Sequence, residues 1–206
     1  MRIAILGILG KIGNKLYLKY KDEFDIIGID LMEDKNIPIV KSIDEVDDFD
    51  IAIDFSSTSA KEELIKILKR GRPVISGTTG YKKDEIEYFR SINKDQFYWS
   101  CNFSKGIDLF KNISNIIKNE YPIFDFVEIH STGKKDAPSG TAKYLADTLN
   151  FPYERIQYLR LPLAPAIHEI VFTTNNERII IRHEAINKEA YIEGIDKLLR
   201  RLISNA

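Results

Sequence analysis

The sequence has little cysteine, no excess of either charge and no long apolar run. Cys101 is the only cysteine among 206 residues, which excludes an intrachain disulfide and a multi-thiolate metal site and fits a reducing compartment. The 30 lysines and arginines nearly balance 31 acids, so the chain lacks the positive field that attracts nucleic acid. The apolar N-terminal stretch is too short for a signal peptide, and no later stretch is long enough to span a membrane. We therefore expect a cytoplasmic protein that acts on a small molecule, with no nucleic-acid or membrane partner.

Short apolar runs alternate with amphipathic stretches in the part of the sequence that precedes Cys101. The amphipathic stretches, residues 11–20 and 60–70, have apolar residues at helical spacing and are predicted to be crossover helices. Ser59 and Glu62 are spaced as a capping box for the second helix, and Gly71 follows its end. This alternation predicts a parallel sheet with helices between its strands. The predicted strands are residues 2–6, 24–29, 50–55, 73–76 and 97–99.

A glycine-rich turn joins the first predicted strand to the first predicted helix. Gly7, Gly10 and Gly13 are spaced as G-x-x-G-x-x-G. Glycines at such a turn let backbone N–H groups approach a pyrophosphate and let the helix pack closely on the strand. A turn without a ligand is the alternative, since Leu9 stands where the common motif has a glycine, but the place between strand and helix favours a dinucleotide. We expect the cofactor to contact Gly7, Ile8, Leu9, Gly10, Lys11 and Ile12.

Asp30 ends the second predicted strand. An acid at this place accepts hydrogen bonds from the adenosine ribose and repels a 2′-phosphate, so NADH is favoured over NADPH. An ordinary turn aspartate at the start of a polar loop is the alternative. Because Lys11 or Lys35 could meet a 2′-phosphate, the use of NADPH stays open.

Two further turns follow predicted strands of the same sheet. Small and hydroxyl-bearing residues at the carboxyl ends of parallel strands are typical of ligand sites, although each turn alone could be a simple connection. Their shared place at one edge predicts contacts near the nicotinamide. The expected contacts are Gly77, Thr78 and Thr79 in the first turn and Ser100, Cys101, Asn102 and Phe103 in the second.

The pattern changes after Cys101. Helices are predicted at residues 107–118, 141–149 and 188–203, and strands at 124–130, 158–161, 169–173 and 179–183. Turn residues between the last strands favour antiparallel pairing. We expect an α/β protein with an N-terminal Rossmann-type parallel sheet and a smaller α+β domain of mixed or antiparallel sheet. The dinucleotide-binding domain would comprise residues 1–103 with the C-terminal helix 188–206, and the substrate-binding and oligomerisation domain residues 104–187.

The segment from His130 to Thr141 carries the residues best suited to chemistry. His130 precedes a flexible cationic loop and can titrate near neutral pH, and Lys134 adds a positive charge. N–H groups at Gly140, where the next helix begins, could bind a substrate carboxylate. The alternatives are a structural histidine at a strand end and a solvated pair of lysines.

Several of these motifs together resemble one family. They are the G-x-x-G-x-x-G turn, the G-T-T-G turn, Asn102-Phe103-Ser104, the block H-x-x-x-K-x-D-A-P-S-G-T-A that begins at His130, and the late pairs His168-Glu169 and Glu177-Arg178. The chain is similar along nearly its whole length to the 4-hydroxy-tetrahydrodipicolinate reductases, also called dihydrodipicolinate reductases. These are NAD(P)H-dependent oxidoreductases of the diaminopimelate route to lysine.

The resemblance implies roles for individual residues. His130 would donate or accept a proton, and Lys134 would be a second proton donor and a carboxylate partner. Ser131, Gly140 and Thr141 would hold the substrate, a cyclic dicarboxylate that receives a hydride and loses water to give tetrahydrodipicolinate. The cofactor contacts named above would be those of the family, and the chain would form a homo-oligomer, either dimer or tetramer.

Some residues depart from the family pattern and leave alternatives open. Ser131 stands where many members have a second histidine, and the chain is shortened between Leu149 and Arg160. A related NAD-dependent amino-acid dehydrogenase and a non-catalytic nucleotide sensor are therefore the competing functions. His168 and His183 are read as packing residues and Cys101 as a passive small residue, and no spacing predicts a metal site.

Overall fold

The computed structural model describes residues 1–204. The described chain divides into two compact units, one formed by residues 1–101 and 195–204 and the other by residues 102–194. Within the described residues, no helix is long and apolar enough to cross a membrane.

A six-stranded sheet, parallel throughout, forms the centre of the first unit. Its strands are β1 (Arg2–Leu6), β2 (Asp25–Ile29), β3 (Ile39–Val40), β4 (Ile51–Asp54), β5 (Val74–Ser76) and β6 (Phe97–Trp99). They lie side by side in the order β3-β2-β1-β4-β5-β6. The order reverses at β1, so the carboxyl ends of β1 and β4 border the crevice where open parallel sheets bind ligands.

Helices α1 (Gly13–Tyr20), α2 (Lys61–Lys69) and α3 (Lys83–Ile92) connect these strands. Leu64 and Leu68 lie one helical turn apart and therefore share one face of α2, and both are fully buried. The expected capping box at Ser59 and Glu62 is wrong: Ser59 lies inside a 3-10 turn, and α2 begins without a side-chain cap. Gly71 does follow α2, with a φ of +68° that favours glycine.

Four strands and two helices build the second unit. They are α4 (Lys105–Glu120), β7 (Ile123–Ser131), α5 (Gly140–Leu149), β8 (Gln157–Leu161), β9 (Ala166–Thr173) and β10 (Arg178–Ala185), and α6 (Glu189–Ser204) then contains the boundary at Ile195. The sheet order is β10-β9-β7-β8. The prediction of antiparallel pairing holds for β9 with β10 but is wrong for β8, which pairs parallel to β7 because α5 forms a crossover between them.

The buried face of β7 changes from apolar to polar along the strand. Phe124, Phe126, Glu128 and His130 alternate with more exposed residues and are all at most 9% exposed. The two phenylalanines belong to the apolar core of the unit, together with Leu145 of α5. The last two buried positions of β7 therefore hold a carboxylate, Glu128, and an imidazole, His130. Both lie at the end of the strand that leads to α5.

Candidate active site

The glycine-rich turn after β1 is a backbone cradle. Gly7 has a φ of +79° and accepts a hydrogen bond from the Gly10 N–H at 3.0 Å. A Cβ on Gly7 would lie 2.7 Å from the Cα of Ser56, and a Cβ on Gly13 would lie 2.2 Å from the Gly7 carbonyl oxygen. Side chains at these two positions would therefore fill or distort the turn.

A cavity of about 320 Å³ lies beside this cradle. Among the predicted cofactor contacts, Gly7, Gly10 and Asp30 line it. The Asp30 carboxylate accepts hydrogen bonds from the backbone N–H groups of Leu9, at 3.1 Å, and Met32, at 3.3 Å. These bonds fix the acid at the end of β2 and keep its oxygens at the rim of the cavity.

Lys41 is a cation at this cavity that the sequence did not suggest. Lys41 lines the cavity, and its ammonium donates to the Leu31 carbonyl at 2.8 Å and pairs with Glu33 at 3.2 Å. Lys11 and Lys35 are exposed and are not among the lining residues. Lys41 follows the two-residue strand β3, which has too few residues to give a sequence signal.

Other predicted contacts have roles inside the protein. The Ile8 side chain is fully buried against Gly28, so only its backbone can face a ligand. Thr78 is buried as well, and its hydroxyl donates to Asp54 at 2.9 Å and accepts from the Ser56 N–H at 3.0 Å. Thr78 therefore supports the Ser56 turn at the cavity wall, whereas Thr79 is exposed.

Asp54 is a buried carboxylate that the sequence analysis missed. It ends β4 and accepts hydroxyl hydrogen bonds from Ser56 at 2.6 Å and Ser76 at 2.7 Å, besides that of Thr78. Burial raises the pKa of Asp54, and these donors partly offset the effect. An acid at the end of an otherwise apolar strand was the signal that could have found it.

The second predicted turn is divided between the two units. Ser100 and Cys101 follow β6 in the first unit and are partly buried. Asn102 and Phe103 belong to the second unit, where the Asn102 amide donates to the hydroxyl of Thr141 at 3.0 Å. The structure thus brings Asn102 to a predicted substrate residue.

His130 lies at the polar end of β7, beside Glu128. Its Nδ1 is 3.6 Å from Oε2 of Glu128, which is completely buried. Arg160 of β8 donates from Nη2 to the other carboxylate oxygen at 2.9 Å. Burial lowers the pKa of His130, the negative charge of Glu128 opposes this shift, and the cations of Arg160 and Lys134 add to it.

The loop from β7 to α5 carries the remaining predicted residues. The backbone carbonyl of Ser131 closes a turn by accepting a hydrogen bond from the Lys134 N–H at 3.0 Å. The Lys134 ammonium pairs with the Asp136 carboxylate at 2.7 Å. Desolvation raises the pKa of Asp136, but the hydrogen bond and charge of Lys134, together with backbone hydrogen bonds that include one from Gly140, more than offset this effect and lower the pKa. Ser139 caps α5 by accepting the Ala142 N–H at 3.1 Å, so Gly140 and Thr141 form the first turn of that helix.

Glu128, His130 and His168 are the one group of three side chains in the described part of the chain that could hold a metal ion. Their ligand atoms lie within 4.8 Å of one another. His168 is 2% exposed, both of its ring nitrogens lack a hydrogen-bond partner among the protein atoms, and burial lowers its pKa to about 3. The Glu128 carboxylate, however, already accepts hydrogen bonds from Arg160 and from the Ser139 N–H.

Family models match both halves of the chain. The model described as "Dihydrodipicolinate reductase, N-terminus" matches residues 1–103, and the one described as "Dihydrodipicolinate reductase, C-terminus" matches residues 106–206. The chain belongs to the dihydrodipicolinate reductase family. The family predicted from the glycine turn and the block beginning at His130 is confirmed.

Curated relatives of the dihydrodipicolinate reductase family cover most of the chain. The 4-hydroxy-tetrahydrodipicolinate reductase of Dictyoglomus turgidum is 30% identical over 91% of this chain and 80% of its own length. The protein of the same name from Clostridium tetani is 30% identical over 94% of this chain and 88% of its own length.

Solved structures share the fold at lower sequence identity. A dipicolinate-bound dihydrodipicolinate reductase from Paenisporosarcina sp. TG-14 has a TM-score of 0.78 at 18% identity, covering 99% of this chain and 95% of that one. An aspartate dehydrogenase from Thermotoga maritima has a TM-score of 0.62 at 17% identity, with coverage of 98% and 96%. Together with the six-stranded parallel sheet and the mixed sheet, these matches confirm the predicted fold class.

Proposed function

We propose that this chain reduces 4-hydroxy-tetrahydrodipicolinate to tetrahydrodipicolinate with NADH or NADPH, in the diaminopimelate route to lysine. Family membership over both halves of the chain supports this function and the oxidoreductase class. The single observation that carries the proposal is the buried pair of Glu128 and His130 beside the loop of Lys134. This arrangement offers a titratable group and a cation in the same part of the second unit.

The residues present fit a dinucleotide. The cradle at Gly7 and Gly13 has no room for a Cβ, as expected where backbone N–H groups approach a pyrophosphate. Gly7 and Gly10 would hold the phosphates, and Asp30 would accept hydrogen bonds from the ribose. The cofactor, when bound, supplies the hydride.

The second unit would bind the substrate and handle protons. His130 donates the proton that the reduced ring requires, and its mostly buried position limits access of bulk water to it. Lys134 exchanges its partner Asp136 for a substrate carboxylate. The N-terminal turn of α5, at Gly140 and Thr141, binds the dicarboxylate through N–H groups and a hydroxyl, and Ser131 lies at the start of the same loop.

The domain roles and the assembly follow the family. The first unit would bind the dinucleotide, and the second would bind the substrate and form a homo-oligomer. The dimer or tetramer and the cytoplasmic location stay predictions.

An assay with purified protein tests the function. 4-Hydroxy-tetrahydrodipicolinate is generated from pyruvate and aspartate semialdehyde, and oxidation of NADH is followed by absorbance. We expect turnover that depends on the imine substrate. Turnover of L-aspartate with NAD⁺ instead would identify an amino-acid dehydrogenase, and tight NADH binding without turnover of either substrate would identify a sensor.

A further inference from the structure

We infer that Glu128 and Arg160 form a positioning pair, which holds the loop between β7 and α5 in place and sets the proton affinity of His130. The inference rests on the proposed function, because it gives a role to the surroundings of His130 and Lys134. Neither residue is part of the sequence block that begins at His130.

Glu128 ties the end of the loop to the sheet. Its carboxylate is completely buried, and the Ser139 N–H lies 3.1 Å from each of its two oxygens. Ser139 is the N-cap of α5, so this contact fixes where the helix begins. An ionised carboxylate at zero exposure needs a cation, and Arg160 provides it at 2.9 Å.

Arg160 ties the middle of the loop to the same carboxylate. Its Nη2 also donates to the Asp136 carbonyl at 2.6 Å, and its Nε donates to the Lys134 carbonyl at 3.3 Å. One guanidinium thus joins Glu128 to the backbone on both sides of Lys135. A lysine has a single ammonium and cannot make this planar set of contacts, so the fork of arginine is required.

The pair also places two opposite charges, those of Glu128 and Arg160, next to His130. The groups that face the imidazole are Glu128 on its own strand, Arg160 on β8, Lys134 and Asp136 in the loop, and His168 on β9. Glu128 and Asp136 raise the pKa of His130, whereas Arg160 and Lys134 lower it. Loss of the Glu128 charge and loss of the Arg160 charge should therefore shift the pKa of His130 in opposite directions.

Three variants separate positioning from simple structural support. Glu128→Gln removes the negative charge, Arg160→Gln removes the positive charge, and Arg160→Lys keeps the charge without the fork. Arg155→Gln is the matched control, because Arg155 forms an exposed pair with Asp125 of β7 at 2.8 Å. The pKa of His130 is measured by NMR titration of its ring, which requires no turnover and so does not depend on the proposed activity.

We expect Glu128→Gln to lower the pKa of His130, Arg160→Gln to raise it, and Arg155→Gln to leave it unchanged. Arg160→Lys should keep the pKa but speed hydrogen exchange in residues 132–138 and raise KM more than it lowers kcat. Shifts in the same direction for the two charge-removing variants, or no shift, would overturn the inference. If Arg160→Gln does not fold, unchanged exchange and KM in Arg160→Lys would overturn it instead.

Discussion

The two regions proposed to bind ligands are built differently, the first from backbone and the second from charged side chains. The cradle after β1 is a run of consecutive residues in which glycines leave space, and a Cβ added at Gly7 or Gly13 would lie 2.7 or 2.2 Å from the nearest backbone atom. The region at the end of β7 is assembled from side chains of separate strands, and its key members Glu128 and Arg160 are 32 residues apart. The first region should be sensitive to gained volume, and the second to lost charge.

Buried carboxylates in the two regions show the same contrast. Asp54, at the carboxyl end of β4 in the first unit, accepts hydrogen bonds from hydroxyl groups, which carry no charge. Glu128, in the second unit, is compensated by the guanidinium of Arg160. A neutral surrounding suits the role proposed for the first region, which is to hold a cofactor through its backbone. A charged surrounding suits the role proposed for the second, which is to transfer protons and bind carboxylates.

The largest expected effect comes from removing the proposed proton donors. His130→Gln and Lys134→Ala should each lower kcat by about 10²- to 10⁴-fold, because proton transfer in the transition state is lost. Lys135→Ala, next to Lys134 in an exposed position, is the control and should retain activity. NADH affinity, measured by fluorescence titration, should stay within about twofold in all three variants, since charge loss in the second unit leaves the glycine cradle intact. A fall in NADH affinity that matches the fall in kcat would contradict the division between the two regions.

Added volume in the cradle is expected to have the next largest effect. Gly13→Ala would bring a Cβ to 2.2 Å from the Gly7 carbonyl oxygen, whereas a Cβ on Gly133 would meet nothing within 4 Å. We expect Gly13→Ala to weaken NADH binding by about tenfold or more and to lower Tm, because the turn must distort. Gly133→Ala should leave both measurements unchanged. Equal NADH affinities for these two alanine variants would show that the cradle does not hold the dinucleotide.

The difference in construction explains what could be predicted from the sequence. The cradle is local, so the spacing of Gly7, Gly10 and Gly13 was enough to locate it between a strand and a helix. The block from His130 to Thr141 is also contiguous, and it gave both the family and the candidate residues. Glu128 could have been found as well, because it is an acid at a buried position in the two-residue alternation of β7.

Residues brought together by strand pairing could not be found in this way. Arg160 faces His130 only because β8 pairs parallel to β7 with those two residues in register, and the turn signals in the sequence did not predict that pairing. His168 reaches Glu128 through the register of β9 with β7. Lys41 follows a strand of two residues, too short for any periodicity. For Arg160 and His168 the missing information was the register, which tertiary packing decides.

His168 should make the free energy of unfolding depend on pH. Burial lowers the pKa of His168 from 6.5 to about 3, so the folded protein binds fewer protons than the unfolded chain between these values. The contribution of His168 to stability is therefore complete above its unfolded pKa and declines as the pH falls towards 3. The limiting slope is about 1.4 kcal/mol per pH unit.

His168→Gln should remove this slope. In urea titrations at a series of pH values, we expect the difference in unfolding free energy between wild type and variant to shrink by about 2 kcal/mol as the pH falls by about 2 units below neutral. The partly exposed His183 gives a control, and His183→Gln should change the slope less. A constant difference between wild type and His168→Gln across this range would show that folding leaves the pKa of His168 unchanged, and would contradict the prediction.

The smallest expected effect concerns the choice of cofactor. In its proposed role Asp30 would disfavour a 2′-phosphate, whereas Lys41 lines the same cavity and would pair with one after leaving Glu33. Lys41→Gln should weaken NADPH binding by about three- to tenfold and leave NADH binding nearly unchanged, because an exposed ion pair contributes little more than about 1 kcal/mol. Lys35→Gln is the control and should change neither affinity. The preference is measured as the ratio of the two dissociation constants, and the loss in Lys41→Gln should fade at high salt. An equal loss of affinity for NADH would mean that Lys41 supports the cavity wall. Like the glycines of the cradle, it would then shape the cavity and would not select between the two cofactors.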